Sequence, residues 1–376
     1  MRERSAAVKY IDEYRDGESG KRLLQSLRTK VSGGPCLRFM EVCGTHTVSV
    51  FRSGIRSALP EQIKLLSGPG CPVCVTAQRD IDKSIELAAR PNTVLVTYGD
   101  MIKVPGTRAN LQVERAKGAD IRVVYSPADA LGICEANPDK NVVFFGIGFE
   151  TTTPPIALVV KEALRRNLVN FFLLSVHKVM PPPLEALLQE GVVAIDGLLL
   201  PGHVSTIIGA RPYDFIAEKY CVPAVISGFE PLDILQSIHM LVDQIHESRA
   251  GIEIQYSRVV KPEGNRLAQK AVVEVFEACD ANWRGLGVIP LSGLKLRAKY
   301  DRFDAEQAFD LDVGYSRDPA GCSCGEILRG AISPLECKLF ANGCTPDHPI
   351  GPCMVSSEGT CAAYYLYGEW QKTGVE

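Results

Sequence analysis

Residues 142–177 read VVFFGIGFETTTPPIALVVKEALRRNLVNFFLLSVH. The apolar run Val142–Gly146 has strand length, and PPIALVVKEALRRN places apolar residues at helical intervals. A second apolar run, Phe171–Ser175, follows. Threonines and then prolines at the front of the central segment are helix-start grammar. A strand, a helix and a strand in this order form a βαβ unit, which predicts parallel pairing. The rhythm continues downstream through Ile195–Leu200 and Ala224–Ile226, with PPPLEALLQEG and YDFIAEKY between them. Upstream it begins at Leu37–Val42 and runs through Ile63–Leu66, Thr93–Tyr98 and Ile121–Tyr125. RDIDKSIELAAR and TRANLQVERAKGA supply helices there.

The expected fold class is therefore α/β, with two parallel-sheet α/β domains of similar build around a cleft. The boundaries expected from the sequence are a helical lead-in at 1–36, a first α/β domain at 37–140 and a second at 141–232. A C-terminal part at 233–376 starts with the helix LDILQSIHMLVDQIHESRAG, a strand EIQYSRVV and a helix RLAQKAVVEVFEAC, and ends in a cysteine-rich tail. No fixed short repeat marks a solenoid.

The 376 residues carry 41 Lys+Arg against 44 Asp+Glu, a formal charge of −3. That balance lacks the basic stripe of a nucleic-acid binder. No apolar run reaches the ~18 residues of a membrane span; the best, 141–160, is broken by Glu150, Pro154 and Pro155. The N-terminal MRERSAAVKYIDEYRD is charged and has no apolar core of a secretory signal. With a cytoplasmic location expected, the 13 cysteines point to metal or redox chemistry rather than disulfides.

In open parallel sheets ligands bind beyond the carboxyl ends of the strands, and the unusual residues of this chain fall there. Glu41-Val42-Cys43-Gly44-Thr45-His46 follows the first strand. A thiolate and an imidazole three apart suit a soft or borderline metal; a buried Cys and a capping turn is the plainer reading. Ser67-Gly68-Pro69-Gly70-Cys71-Pro72-Val73-Cys74 follows the second strand. A C-x-x-C opening a helix reads as a redox dithiol whose thiol pKa the helix dipole lowers, or as half of a zinc site. Tyr98-Gly99-Asp100 follows the third strand. Gly146-Ile147-Gly148-Phe149-Glu150 lacks the third glycine of a dinucleotide loop, so NAD is not predicted. Glu150 is a cleft base or hydrogen-bond acceptor on one reading and a solvated loop acid on the other. His177 and Gly202-His203 also end strands, whereas His239 and His246 read as ordinary helix residues and His348 has no assigned role.

Six cysteines crowd into the tail: Cys322, Cys324, Cys337, Cys344, Cys353 and Cys361. A four-ligand zinc site leaves two of them idle. A [4Fe–4S] cluster with a neighbouring redox dithiol uses all six, although spacing does not say which four bind iron.

The segments EVCGTHT, SGPGCPVCVT, GFETTTPP, LLPGHVSTIIG, CSCGEILRG and CTPDHPIGPCMVSSEGTCAAYY closely resemble the HypD family of [NiFe]-hydrogenase maturation proteins, from about residue 37 to 365. That resemblance implies two α/β domains around a cleft plus a C-terminal [4Fe–4S] domain. It implies a stable complex with the chaperone HypC, transient contact with the cyanide donor HypE, and assembly of the hydrogenase Fe(CN)2CO group. Carried over, it makes Cys43 the iron-binding candidate with His46 beside it, and Cys71 and Cys74 a redox dithiol. The tail is similar to the cluster region of ferredoxin:thioredoxin reductase. That similarity implies Cys322, Cys337, Cys344 and Cys361 as cluster ligands and Cys324 with Cys353 as a second redox pair. Cys36, Cys134, Cys221 and Cys279 are left as structural core. The expected function is an assembly scaffold with redox capacity rather than a turnover enzyme. The rival is a stand-alone iron–sulfur thiol/disulfide oxidoreductase, which leaves Cys43, His46 and Glu150 without a task.

Overall fold

The computed structural model describes residues 12–368. Expectations for residues 1–11 and 369–376, including the first part of the helical lead-in, lie outside them. The strands are β1 (Leu37–Glu41), β2 (Ile63–Ser67), β3 (Thr93–Thr97), β4 (Asp120–Val123), β5 (Asn141–Gly146) and β6 (Phe171–Ser175). They continue with β7 (Gly197–Pro201), β8 (Ala224–Ser227), β9 (Ile252–Ile254), β10 (Phe276–Trp283) and β11 (Gly287–Leu296).

Two parallel sheets form, in the orders β2-β1-β7-β8-β9 and β4-β3-β5-β6. Both are wound alike: the first strand sits inside, the second flanks it, and later strands extend the other side. The class α/β is therefore right, but the strands do not sort at residue 140/141. The whole β3–β6 sheet is an insertion between β2 and β7, and β1 pairs with β7 across that gap (Glu41 beside Leu199). Periodicity marks each strand, while which strand lies beside β1 is a long-range choice that local pattern does not carry.

The larger sheet buries Phe39, Leu65, Leu199 and Val225 against the helices Gly17–Val31 and Pro231–His246, through Leu27, Val31, Ile234, Ile238 and Leu241. The smaller sheet buries Val94, Val142, Phe144 and Phe171 against Ile156, Val160 and Ala163 of the helix Thr153–Arg165. The opposite faces meet in one shared core, where Met40, Leu198 and Leu200 pack with Leu95, Val143, Phe145 and the tail. The carboxyl ends of both sheets consequently open toward the same interior.

The segment RLAQKAVVEVFEAC is helical only over Arg266–Val275; Phe276 begins a strand. β10 and β11 make an antiparallel hairpin that reaches both sites: Lys178 bridges to Gly293 and Thr76 to Trp283. Trp283 is fully buried, its Nε1 donating to Ser292 Oγ at 2.7 Å and its ring stacking on Phe149. Among the described residues no helix is long and apolar enough to cross a membrane.

Candidate functional site

Cys43 caps the helix Gly44–Arg52 and Cys71 caps the short helix Pro72–Val75, and the two turns interlock. Gly44 N donates to Gly70 O at 3.1 Å. A Cβ on residue 70 would stand 2.2 Å from Cys43 N, so only glycine admits the contact. The other side of Gly44 is closed by the tail, whose Glu358 backbone oxygen would lie 2.5 Å from a Cβ there. Glu358 Oε1 accepts from Thr45 Oγ1 at 2.6 Å. Burial, aided by the Glu358 charge, pushes the Cys43 thiol up to about 11.

His46 is completely buried. Its Nε2 lies 3.2 Å from Ser227 O and 3.0 Å from Gly228 O, while Nδ1 has no partner. Burial lowers its pKa to about 4, so the ring is neutral at physiological pH. His46 and His203 both stack on Phe229, with centroids 4.7 and 3.9 Å away. His177 belongs elsewhere: its Nδ1 meets Ser175 Oγ at 3.0 Å and its ring packs near Phe276. His239 Nε2 meets Leu23 O at 2.9 Å and ties two helices together.

Glu150 is not a solvated loop acid. It is buried, with Oε1 accepting from Met180 N at 2.8 Å and Oε2 unpartnered, and burial raises its pKa to about 7. Its electrostatic neighbour is Tyr213, a fully buried tyrosine whose hydroxyl also interacts with Ser205 and which senses Cys43 as well. Nothing in the sequence singles out Tyr213; it is one aromatic at the start of a helix. Asp100 anchors the tail, accepting from Ser356 and Ser357 hydroxyls at 3.3 and 3.4 Å.

The short helix Pro352–Val355 packs on the helix Pro72–Val75 and brings the two predicted cysteine pairs near each other. Cys324 Sγ lies 2.8 Å from Cys353 Sγ, and the Cys353 thiol also interacts with that of Cys74. Cys71 Sγ accepts from Cys74 N at 3.3 Å. The sequence reading expects a helix dipole to depress the thiol pKa here, but burial pushes Cys74 well up. The helix Pro72–Val75 is four residues long and has little dipole to offer.

Arg284, at the tip of the β10–β11 hairpin, is the cation of this region. Its backbone N donates to Val75 O, Nε to Thr76 O at 3.1 Å and Nη1 to Gln78 Oε1 at 3.0 Å and to Asp318. Its charge opposes the upward shift of Cys322 and Cys324. Sequence reasoning missed it because the helix read there ends at Cys279 and no element is assigned to the residues around 284.

All six tail cysteines line one cavity with Ile327, Leu339, Phe340 and Met354, and no charged side chain enters that wall. Ile350 N donates to Cys344 Sγ at 3.3 Å. Among the described residues no three or more His, Cys, Asp or Glu groups converge to hold a single metal ion. Six thiols around an apolar space, with a backbone N–H aimed at one sulfur, suit a multinuclear thiolate-held group better than one ion. Of the four remaining cysteines Cys134 is core, but Cys36 and Cys221 are exposed and Cys279 is half-buried, which corrects their assignment as ordinary core.

With the geometry described, its relatives can be placed. The sequence model of one family, described as HypD, hydrogenase formation hypA family, matches residues 18–368. This chain belongs to the HypD family. The hydrogenase maturation factor HypD2 of Bradyrhizobium diazoefficiens is 48% identical over 97% of this chain and 98% of its own length. The hydrogenase expression/formation protein HupD of Azotobacter chroococcum mcd 1 is 47% identical over 98% and 99%. Hydrogenase maturation factor HypD of Escherichia coli strain K12 is 45% identical over 96% and 98%. Cys43, Cys71, Cys74 and the six tail cysteines all lie within the matched span.

Proposed function

We propose that this chain is a cytoplasmic hydrogenase maturation factor that acts as an assembly scaffold. With HypC it holds the iron that becomes Fe(CN)2CO, and it takes cyanide groups from HypE. The observation that carries the reading is the proximity of sulfur from the tail cavity to the cleft: Cys324 Sγ lies 2.8 Å from Cys353 Sγ, the short helix that carries Cys353 packs on the one that carries Cys74, and the turn before Cys71 interlocks with that of Cys43.

Cys43 is the protein thiolate for the substrate iron, with a HypC thiolate completing the site; soft thiolate suits iron carrying cyanide and carbonyl. The desolvated thiol resists ionisation by itself, so binding iron is what releases its proton. Cys322, Cys337, Cys344 and Cys361 would hold a [4Fe–4S] cluster, which when bound supplies electrons one at a time. Cys324 and Cys353 form the adjoining dithiol.

Exchange then follows the contacts. The Cys353 thiolate attacks Cys74 Sγ of an oxidised Cys71–Cys74 pair, and Cys71 leaves as thiolate into the hydrogen bond from Cys74 N. Cys324 attacks Cys353 and releases Cys74. One disulfide and two thiols become two thiols and one disulfide, so the two-electron balance closes and Cys71 and Cys74 are reduced beside the iron site.

Infrared spectroscopy of the anaerobic complex with HypC tests the scaffold reading. Cyanide and carbonyl bands are expected in the wild type and are lost in Cys43→Ala. Bands retained at wild-type intensity in that variant overturn the iron assignment. Disulfide turnover with no bound diatomics would favour the stand-alone oxidoreductase.

A further inference from the structure

His46 carries an asymmetry that its neighbours impose. A carbonyl oxygen can only accept, so two carbonyls facing Nε2, Ser227 O and Gly228 O, require the hydrogen there. In a neutral ring Nδ1 is then a bare lone pair, and it is buried without a partner. A buried acceptor left unsatisfied costs roughly 1–3 kcal/mol.

The carbonyls are held by a network on the chain after β8. Gly228 N donates to Gln255 Oε1 at 3.0 Å, and Gln255 Nε2 donates to Asp233 Oδ1 at 2.8 Å. Asp233 is fully buried and accepts a two-pronged contact from Arg258, at 2.7 and 2.5 Å. Glu230 N also donates to Asp233 Oδ2 at 3.2 Å, closing the loop that carries Phe229 against the His46 ring. Arg258 is in turn fixed over the rings of Tyr14 and Tyr256. Every link from Arg258 to His46 Nε2 is thus a donor–acceptor contact or an adjacent peptide.

We propose that Asp233, Gln255 and Arg258 are positioning residues that lock His46 as its Nε2–H tautomer, so that Nδ1 is the nitrogen offered to iron beside Cys43. The proposal rests on the reading that Cys43 holds iron. Cys43 and His46 lie three apart at the first turn of one helix, the spacing that puts side chains on a common face. A histidine ligand oriented by an acceptor on its other nitrogen is the usual arrangement in metal sites, and losing the outer partner typically weakens metal binding by 10–100-fold.

Two measurements test it. The chain has six histidines, so nitrogen NMR of the full-length protein labelled at the imidazoles resolves them. In the metal-free wild type, His46 is expected to show an unprotonated Nδ1 and a protonated Nε2; Gln255→Leu is expected to broaden or mix the two forms. A wild-type ring protonated at Nδ1, or an unchanged ring in both Gln255→Leu and Arg258→Lys, overturns the proposal.

The second measurement is iron content and infrared bands of the complex with HypC, for His46→Asn and His46→Gln. Asparagine keeps an amide near the Nδ1 position, and glutamine keeps one near Nε2. His46→Asn is expected to retain iron better than His46→Gln, and Gln255→Leu to lose about tenfold in iron affinity. Equal retention in the two His46 variants overturns the Nδ1 assignment when Cys43→Ala has lost its iron. Iron retained in Cys43→Ala instead defeats the underlying scaffold reading, so the two failures are told apart.

Discussion

Cys353 Sγ lies 2.8 Å from Cys324 Sγ, on a short helix that packs against the helix carrying Cys74. If Cys353 relays electrons between the two cysteine pairs as proposed, its removal has a defined outcome. Cys353→Ser is expected to leave the Cys71–Cys74 pair oxidised after anaerobic reduction of the protein with dithionite. Cys324→Ser is expected to accumulate a Cys74–Cys353 mixed disulfide, since the resolving thiol is gone. Differential alkylation and peptide mass spectrometry read both. Reduction of Cys71 and Cys74 at the wild-type rate in both variants would sink the exchange route.

Arg284 should set the balance of the tail dithiol. Its guanidinium favours the thiolate of Cys324 and so the reduced pair. Arg284→Met is expected to lower the Cys324–Cys353 midpoint by tens of millivolts, about 30 mV for each 1.4 kcal/mol. It also removes the bonds to Thr76 O and Gln78, costing ~2–3 kcal/mol of stability. Arg284→Lys keeps the charge and is expected to restore most of the potential but less of the stability. Redox titration and denaturant unfolding separate the two; an unchanged midpoint in Arg284→Met would refute the electrostatic role.

Glu150 makes stability depend on pH. Burial raises its folded pKa from 4.5 to about 7. The folded state thus holds this proton more tightly than the unfolded chain. The associated stabilisation is full below pH 4.5 and is lost as pH rises through 7. Across that window wild type should lose roughly 3 kcal/mol relative to Glu150→Gln, an order-of-magnitude figure from the shift. Unfolding free energies of both proteins at pH 5 and pH 8 check this, and a constant difference would contradict it.

Gly70→Ala tests the interlocked turns. Its methyl would fall 2.2 Å from Cys43 N, a backbone atom that no rotamer change can move. The expected loss is about 2–4 kcal/mol, the range of severe backbone or packing conflicts. Gly17→Ala, where a Cβ meets nothing within 4 Å, is the neutral control. Equal unfolding midpoints for the two would show that the turns do not depend on the close approach.

Much of this was legible without coordinates. The strands around Val142–Gly146 and Phe171–Ser175 follow from apolar runs, and their parallel pairing from the helix between them. The tail cysteines announced themselves by density, and the residues following each strand marked the functional edge. Helix Arg266–Val275 was legible too, but its abrupt change to strand at Phe276 was not, because VFEAC fits either period. Arg284 and the hairpin tip lie beyond the helix read there and carry no local signal of their own.

By itself the sequence determined the α/β class, the family resemblance and the crowding of cysteines in the tail, because period, motif and spacing are local properties. Tertiary structure alone decided that β1 lies beside β7 with a whole sheet inserted between them. It decided that the helix carrying Cys353 packs on the one carrying Cys74, and that burial overrides any helix dipole on Cys74. It also decided which nitrogen of His46 is free, since the carbonyls that choose are 181 and 182 residues away. Desolvation, register between distant strands and the partner of a lone pair depend on what the chain brings alongside, and residue pattern does not encode that locally.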